Sequence, residues 1–240
     1  MEIFAHRGAS GNYPENTIAA FMEAASLPVH GVEFDVHMTA DGELVVIHDE
    51  SIDRTSNGTG YVKDMSLAEL KKYDFGSWFA AEFQSETIPT LAEVFDVFDS
   101  TGHRLNIELK SDIFPYEGMV TKVLNLIAER QIEERVVISS FDHSAIQIVK
   151  QLKPQIETAA LFMEVLVQPL DYLNKIPADA LHILFPAAIR PTMAEVINSG
   201  MPVRTFTVND ENYAMMLKQA GVQSIFTDYP EKMHALLSSK

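Results

Sequence analysis

The sequence predicts an α/β protein that folds as a parallel (β/α)8 TIM barrel, with one domain over residues 1–240. Short β-branched runs alternate with helical patterns along the chain, and a length of 240 residues suits such a barrel. No glycine-rich G-x-G-x-x-G loop follows a strand, which disfavours the main alternative, an open doubly wound sheet. The eight predicted strands cover residues 3–6, 31–36, 105–109, 136–139, 157–161, 181–185, 202–206 and 223–226.

The helices are predicted from apolar spacing and from capping signals. Two sets of residues follow the i, i+3, i+4, i+7 spacing of a buried helix face: Ile18, Phe21, Met22 and Ala25, and Val120, Val123, Leu124 and Ile127. Capping boxes are predicted for Ser66 with Glu69, Thr90 with Glu93, and Thr192 with Glu195. We also expect Asn209 to cap a helix and Pro230 to occupy the first turn of another.

Residues 38–89 interrupt the alternation and are predicted to form an insertion between the second strand and the second helix. Asp41 and Gly42 are a tight-turn signal between residues 36–39 and the apolar residues 44–47, which predicts a hairpin that extends the second strand. An irregular stretch follows over 51–89, with a short helix predicted at 66–73. Its aromatic residues are expected to pack the insertion on the barrel rather than to touch a ligand: Phe75, Trp78, Phe79 and Phe83.

The composition excludes several classes of protein. With 18 basic and 34 acidic residues, the net charge is −16, so we expect binding neither to nucleic acid nor to an anionic membrane. No apolar run is long enough for a bilayer and the N-terminus lacks a signal-peptide pattern, so we expect a cytoplasmic protein. Zero cysteines exclude thiolate chemistry. Arg7 is the single basic residue of residues 1–50, against nine acidic ones, which suggests a specific use for its charge.

Polar pairs occur on two neighbouring predicted strands, where a barrel of this type carries its active site. Glu33 and Asp35 are two residues apart, as are Glu108 and Lys110, so each pair projects from one face of its strand. Their apolar neighbours Phe34, Val36, Ile107 and Leu109 are expected to face the helices. Three converging carboxylates either make ordinary ion pairs or hold a cation. All-oxygen ligands favour one hard divalent ion, Mg²⁺ or Ca²⁺, and we favour this second interpretation for Glu33, Asp35 and Glu108.

Two of the eight histidines are predicted to act in acid–base chemistry. His6 ends the first strand beside Arg7, and His48 ends the hairpin, from which it can reach the same barrel mouth. His182 stays unassigned. The others are expected to be surface or satisfied core residues: His30, His37, His103, His143 and His234.

Several short motifs occur in order along nearly the whole chain. They read His-Arg-Gly at 6–8, Pro-Glu-Asn-Thr at 14–17, Gly-Val-Glu-Phe-Asp-Val at 31–36, Thr-Ala-Asp-Gly at 39–42, Val-Ile-His-Asp at 46–49, Asn-Ile-Glu-Leu-Lys at 106–110 and Thr-Asp-Tyr-Pro at 227–230. This ordered set resembles the glycerophosphodiester phosphodiesterase family, whose barrel is similar to that of phosphoinositide-specific phospholipases C. The resemblance is specific because the motifs recur together, whereas none of them is decisive alone.

The resemblance implies roles for eight residues: metal ligation by Glu33, Asp35 and Glu108, acid–base roles for His6 and His48, phosphate contacts from Arg7 and Lys110, and an aromatic wall from Phe206. Glu15 and Asn16 belong to the signature near the site, and Asn16 either organises its loop or contacts metal or substrate. The family pattern usually has tryptophan where Phe206 stands, so this chain lacks the indole N–H donor.

The resemblance also implies hydrolysis of glycerophosphodiesters, such as glycerophosphocholine or glycerophosphoethanolamine, to glycerol 3-phosphate and an alcohol. A cyclic glycerol phosphate is expected to form first and to be opened by water. The alternatives are a lysophospholipase D-type phosphodiesterase, a catalytically silent barrel that binds phosphodiesters, and an isomerase on a similar barrel. The preferred alcohol, the order in which the histidines act and the oligomeric state stay open.

Overall fold

Eight parallel strands close into a barrel in the computed structural model, which describes residues 1–238. The strands are β1 Glu2–His6, β2 Gly31–Met38, β3 Leu44–Val46, β4 Arg104–Leu109, β5 Val136–Ser140, β6 Glu157–Phe162, β7 Ala180–Leu184, β8 Val203–Phe206 and β9 Ser224–Thr227. Around the barrel they follow the order β1-β9-β8-β7-β6-β5-β4-β2, and β2 returns to β1. The strand β3 lies outside this circle and pairs antiparallel with β2. The predicted (β/α)8 fold is confirmed, and each predicted barrel strand is found within two residues of its expected bounds.

Helices surround the barrel and connect its strands. They are α1 Ile18–Ser26, α2 Leu67–Leu70, α3 Leu91–Phe98, α4 Met119–Arg130, α5 His143–Leu152, α6 Pro169–Leu173, α7 Phe185–Ala188, α8 Ala194–Asn198, α9 Glu211–Gln219 and α10 Pro230–Ser238. Short 3₁₀ turns lie at Val62–Asp64, Ala81–Phe83, Glu133–Arg135 and Pro191–Met193. Within residues 1–238, no helix combines the length and the apolar character that crossing a bilayer requires.

The main core lies between the strands and the helices. Phe34 and Val36 of β2 and Ile107 and Leu109 of β4 are buried there, as the alternation predicted. The Phe21 ring of α1 meets the Phe34 ring edge-on, with 5.7 Å between centroids. Since the apolar positions of each strand pack outwards, the alternate positions, including Glu33, Asp35 and Glu108, are directed into the barrel.

Helix α1 corrects one sequence prediction. Its buried face is formed by Ala20, Phe21 and Ala24, whereas Met22 is 62% exposed. Ala20 packs against the loop after β1, where a Cβ added at Gly8 would come within 2.8 Å of Ala20. Gly8 has φ of +83°, which favours glycine. This contact requires small residues at the interface, and it turns Met22 towards solvent.

The capping predictions are partly wrong. The boxes at Ser66 and Thr90 form, and Pro230 begins α10 as predicted. Thr192 lies inside the Pro191–Met193 turn, and its hydroxyl caps no helix because α8 begins later, at Ala194. Asp210 rather than Asn209 caps α9, accepting hydrogen bonds from two backbone N–H groups of the first turn.

The β2–β3 hairpin leads into a segment with its own hydrophobic core. The turn has the predicted form, with Gly42 at φ of +83° and the Thr39 N–H donating to the Glu43 carbonyl. Helix α2 is shorter than the 66–73 prediction, because the chain leaves the α conformation for tighter turns after Leu70. We retain residues 38–89 as a predicted insertion. Its buried core, which we call the hairpin core, consists of Val45, Ile47, Ile52, Val62, Leu70, Phe75 and Ile88.

An ion cluster fills the interior of the barrel near the N-terminal ends of its strands. Arg204 is 1% exposed and donates from Nη2 to Glu157 Oε1 at 2.5 Å. Arg104 donates to the other Glu157 oxygen, and Arg204 Nη1 donates to His182 Nε2 at 3.1 Å. Burial, together with the two arginine charges, holds the pKa of His182 well below its usual value. His182 is therefore a neutral partner in a structural cluster.

Candidate active site

A cavity of about 430 Å³ opens at the C-terminal ends of the barrel strands. It brings together seven of the eight sequence-predicted site residues, from four strands and the hairpin: His6, Arg7, Glu33, His48, Glu108, Lys110 and Phe206. The eighth, Asp35, is 1% exposed and is paired in the β2–β4 register with Glu108. The predicted residues therefore form one cluster, with both histidines at the same end of the barrel.

The three acidic residues are close enough to share one ion. Glu33, Asp35 and Glu108 each offer a carboxylate oxygen within 4.8 Å of the others. Asn16 donates from Nδ2 to Asp35 Oδ2 at 2.9 Å, so the signature asparagine orients an acidic group of the cluster. The Arg7 backbone N–H donates to Glu33 Oε2 at 3.1 Å. These hydrogen bonds fix the orientation of two of the three carboxylates, those of Asp35 and Glu33.

The environment shifts the pKa values of these three carboxyl groups in different directions. Burial raises the pKa of Glu33 well above its usual value, and the charges of Asp35 and Glu108 add to that increase. Burial likewise raises the pKa of Glu108, against the lowering influence of Lys110. Burial would also raise the pKa of Asp35, but the neighbouring His48, Arg7 and Lys110 charges reverse the shift and lower it. The cluster thus lacks enough positive charge for three ionised groups.

Two cations, the buried Lys110 and the partly buried Arg7, lie beside the acidic cluster. Lys110 Nζ is 3.0 Å from Glu108 Oε1 and 4.0 Å from Asp35 Oδ1. Arg7 Nε is 3.5 Å from Asp35 Oδ2, and Arg7 Nη1 donates to Glu15 Oε1 at 2.7 Å. The acidic neighbours raise the pKa of both cations despite the opposing effect of burial. Both therefore stay charged where they line the cavity.

His6 is oriented by a carboxylate that directly follows the last barrel strand. Its Nδ1–H donates to Asp228 Oδ1 at 2.6 Å, which leaves Nε2 free at 3.9 Å from Glu33 Oε2. Asn209 Nδ2 and Ser10 Oγ also donate to Asp228, at 2.6 and 3.0 Å. Burial opposes ionisation of Asp228, but these three hydrogen bonds and the charge of His6 outweigh it and lower its pKa to about 2. A charged Asp228 fixes the tautomer of His6 with the proton on Nδ1.

His48 is held in the same manner from the hairpin side. Its Nδ1–H donates to Asp49 Oδ1 at 2.6 Å. Its backbone carbonyl accepts from His37 Nε2 at 3.1 Å, and His37 Nδ1 accepts from the Tyr116 hydroxyl at 3.0 Å. Both site histidines therefore use Nδ1 for a carboxylate, and both line the cavity.

The opposite wall of the cavity is apolar. Phe206 and Phe141 meet edge-on with 6.2 Å between ring centroids, and Leu161 and Met163 extend this wall. Charged groups on one side and aromatic rings on the other form an asymmetric site. Such a site orients a ligand that has an anionic part and a less polar part.

Comparisons with known proteins identify the family. The model of the glycerophosphoryl diester phosphodiesterase family matches residues 6–232. This chain belongs to the glycerophosphoryl diester phosphodiesterase family. A glycerophosphodiester phosphodiesterase of Caldanaerobacter subterraneus subsp. tengcongensis is 42% identical over 231 residues, which cover 96% of this chain and 95% of the relative. The Bacillus altitudinis glycerophosphodiester phosphodiesterase is 43% identical over 234 residues, covering 96% of each chain.

Solved structures agree with the family assignment. A phosphodiesterase of Oleispira antarctica, in complex with the product sn-glycerol-3-phosphate, is 33% identical and superposes with a TM-score of 0.94, covering 100% of this chain and 97% of that one. The glycerophosphodiester phosphodiesterase of Thermotoga maritima is 27% identical, with a TM-score of 0.80 over 98% of this chain and 97% of that one. The resemblance found in the sequence is therefore confirmed.

The donor set of this family member suits a divalent cation. Three carboxylate oxygens converge without a sulfur or imidazole donor among them, which favours a hard ion. The raised pKa of Glu33 and of Glu108 marks a local deficit of positive charge beyond what Arg7 and Lys110 supply. Such a deficit is what a bound cation removes.

Sequence reasoning missed the residues that orient the histidines. Asp49, Asp228 and Asn209 received no site role, and Arg54 was not singled out. A signal was present for Asp49, because a carboxylate directly follows His48 in the sequence. Asp228 also lies in one of the quoted motifs, at the end of a strand. Arg54 gave no such signal, because its contact with Glu15 spans 39 positions and its contact with Asp49 spans an irregular loop.

Proposed function

We propose that this protein hydrolyses glycerophosphodiesters to glycerol 3-phosphate and an alcohol, assisted by one divalent cation, Mg²⁺ or Ca²⁺. Family membership over residues 6–232 supports the reaction class. The complex of the Oleispira antarctica relative with sn-glycerol-3-phosphate supports the product. The observation that carries the proposal is a matched pair: His6 and His48 each bond a carboxylate through Nδ1 and line one cavity with the acidic cluster.

The two imidazoles can move protons in opposite directions during one reaction. One Nε2 accepts the proton of the glycerol hydroxyl next to the ester, and that oxygen attacks phosphorus. The other imidazolium donates its Nε2 proton to the departing alcohol oxygen, as the bond from phosphorus to that oxygen breaks. Water then opens the cyclic glycerol phosphate with the two roles reversed, which restores both protonation states. Asp228 and Asp49 stabilise the positive charge on whichever imidazole is protonated.

Arg7 and Lys110 supply the fixed positive charge of the site. We assign them to the phosphoryl oxygens, because both line the cavity and both are held charged by buried acidic neighbours. Arginine offers two parallel N–H donors to phosphate and lysine acts as a point charge. Their position within a chain of net charge −16 provides a local attraction for an anionic ester.

Glu33, Asp35 and Glu108 would hold the cation, and their buried carboxylates cannot all be charged without it. Bound there, the cation would supply positive charge that stabilises the charge on the phosphoryl oxygens. The rings of Phe206 and Phe141 form the apolar side of the cavity, and we assign Phe206 to contact with the substrate.

A coupled assay for glycerol 3-phosphate tests the proposal. Wild-type protein is incubated with glycerophosphocholine, with glycerophosphoethanolamine and with lysophosphatidylcholine, each with and without a chelator. We expect turnover of the two glycerophosphodiesters, its loss in chelator, and its recovery with added Mg²⁺ or Ca²⁺. Mass spectrometry of the same reactions follows lysophosphatidic acid, and its release as the main product would favour the lysophospholipase D alternative instead.

Two variants test the histidines. His6→Ala and His48→Ala are each expected to lower kcat by about 10² to 10⁴-fold, the usual contribution of a positioned acid or base. The matched control is His234→Ala, which removes a histidine from α10, outside the cavity lining. Near-wild-type turnover in either site variant, with circular dichroism confirming that it is folded, would exclude that histidine from the reaction.

A further inference from the structure

Arg54, in the segment after the hairpin, connects two carboxylates that each hold a site residue. Its Nε and Nη2 donate to the two oxygens of Asp49 at 2.7 and 3.0 Å. Its Nη1 and Nη2 donate to the two oxygens of Glu15 at 2.7 and 2.9 Å. One guanidinium thus makes two bidentate contacts, which use four of its five N–H groups.

The two carboxylates lead directly to the site. Asp49 Oδ1 is the atom that accepts the His48 Nδ1–H, at 2.6 Å. Glu15 Oε1 is the atom that accepts from Arg7 Nη1, at 2.7 Å. Glu15 belongs to the loop between β1 and α1, whereas Asp49 and Arg54 follow the hairpin. Arg54 therefore joins the hairpin side of the site to the barrel side by a continuous chain of hydrogen bonds.

We propose that Arg54 is a positioning residue, which fixes the rotamer of Asp49 and thereby holds His48 Nε2 towards the cavity in the reactive orientation. This inference rests on the proposed function, since it assigns Arg54 to the same reaction. Arg54 itself does not line the cavity. Its effect passes through Asp49, and Glu15 anchors the guanidinium to the loop that carries Arg7.

The geometry of the contacts argues for orientation rather than for charge alone. Asp49 has two oxygens and one of them serves His48, so an unconstrained carboxylate can rotate away or present the other oxygen. A bidentate contact fixes both oxygens in one plane. Lysine carries the same charge but lacks the planar fork, so it cannot hold Asp49 and Glu15 in two bidentate contacts at once.

Exposure also distinguishes this arginine from a simple stabilising contact. The Arg54 side chain is 44% exposed, and ion pairs at that exposure contribute little to folding stability. Its acidic partners are more buried, with Glu15 at 13% and Asp49 at 29%. Burial opposes their ionisation, but the bonds from Arg54 keep the pKa of each carboxyl below its usual value. Both carboxylates stay charged, and they can accept bonds from Arg7 and His48.

The test compares Arg54→Gln and Arg54→Lys with Arg130→Gln. Arg130 is a matched control because it also contacts two carboxylates, Asp96 and Asp99, on the outer helical surface. We expect Arg54→Gln to lower kcat by about 10- to 100-fold, as displaced catalytic groups do, with a smaller change in KM and in Tm. Arg54→Lys should keep a Tm close to that of the wild type without recovering kcat, and Arg130→Gln should leave kcat unchanged.

A second readout follows the His48 ring without relying on turnover. The ¹⁵N chemical shifts of the imidazole nitrogens report the fraction of neutral His48 with its proton on Nδ1, and His48→Ala assigns the signals. We expect this fraction to fall in Arg54→Gln, while that of His6 stays unchanged because Asp228 holds it separately. Asp49→Asn should produce the same change, and Arg54→Gln combined with Asp49→Asn should lower kcat no further than Asp49→Asn alone.

These measurements separate the two proposals. A wild-type protein without phosphodiesterase turnover would refute the proposed function, while the His48 tautomer would still test the role of Arg54. Wild-type kcat together with an unchanged His48 tautomer in Arg54→Gln would overturn the positioning role. Full recovery of kcat in Arg54→Lys would overturn the requirement for the planar fork.

Discussion

Substitution of Glu33 by glutamine is expected to change the stability of the metal-free protein and its response to cations in opposite directions. Glu33, Asp35 and Glu108 offer oxygens within 4.8 Å of one another. At that separation and an effective dielectric near 20, each pair of full charges repels by about 3.5 kcal/mol. Glu33→Gln removes two of the three pairs while it preserves the shape of the side chain.

The metal-free variant should therefore melt at the same temperature as the metal-free wild type or above it. Protonation of Glu33 already relieves part of the repulsion, because burial raises its pKa well above the usual value. The gain from Glu33→Gln is accordingly smaller than the full repulsion of two pairs. Melting at pH 8, where the wild-type carboxyl is more often ionised, gives the larger difference.

Addition of Mg²⁺ or Ca²⁺ should reverse the order. At a concentration about 100-fold above Kd, binding to the folded state adds about 2.7 kcal/mol. For a chain of this size each kcal/mol raises Tm by about 2–4 °C, so the wild type should gain about 5–11 °C. Glu33→Gln should lose most of this gain because one of three charged ligands is missing.

Differential scanning fluorimetry after chelation, with each ion titrated back, measures both effects. Glu129→Gln is the control, since it removes the same charge from an exposed position on α4 and should respond as the wild type does. An equal cation shift in Glu33→Gln and in the wild type would refute the reasoning. So would a wild type that responds to neither ion.

Three further predictions concern other parts of the molecule. Asp228→Asn should lower kcat by about 10² to 10⁴-fold, because an amide no longer stabilises the charged His6 ring, and an unchanged kcat in the coupled assay would contradict this. The pKa of Asp228 is lowered from 3.8 to about 2, so its ionised carboxylate stabilises the folded state. This stabilisation is fully present above pH 3.8 and is lost as the pH falls through about 2. In urea unfolding, the free energy of unfolding of the wild type should therefore exceed that of Asp228→Asn by roughly 2 kcal/mol at pH 6 and ~1 kcal/mol at pH 3. A difference that does not change with pH would show that the Asp228 carboxylate does not stabilise the fold in this way. Glu157→Ala should destabilise the barrel by about 3–5 kcal/mol, because it leaves the Arg204 charge buried without its partner. Its Tm should fall by ~6–20 °C with kcat retained in the folded protein, and an unchanged Tm would show that the cluster does not stabilise the fold.

The barrel could be predicted because the residue pattern of its strands indicates which side chains are buried against the helices. Phe34, Val36, Ile107 and Leu109 alternate with acidic residues, and this period of two assigns one face to the helices and the other to the interior. The same alternation placed Glu33 and Asp35 together. Strand-end carboxylates on neighbouring strands then had to meet, since parallel strands end at the same side of a barrel.

The details that failed depend on contacts between segments distant in sequence. Met22 fits the apolar spacing of α1, but the close approach of the loop at Gly8 selects the small face of the helix instead. Asn209 has the residue type of a helix cap, yet its side chain donates to Asp228, which follows the neighbouring strand β9. The pairing of Arg54 with Glu15 likewise crosses from the hairpin segment to the first loop. Local propensity contains no information on these partners.

The two sides of the site rest on different hydrophobic clusters, the main barrel core and the hairpin core. His6, Arg7 and the acidic cluster are carried by barrel strands or the loops that end them, whereas His48 follows β3 and depends on the packing of the hairpin core. A transient opening of that smaller core would withdraw His48, the proposed proton-transfer group, and leave the acidic cluster in place. Heat inactivation would then precede global melting. The temperature at which activity is lost would depend on the stability of the hairpin core rather than on that of the barrel.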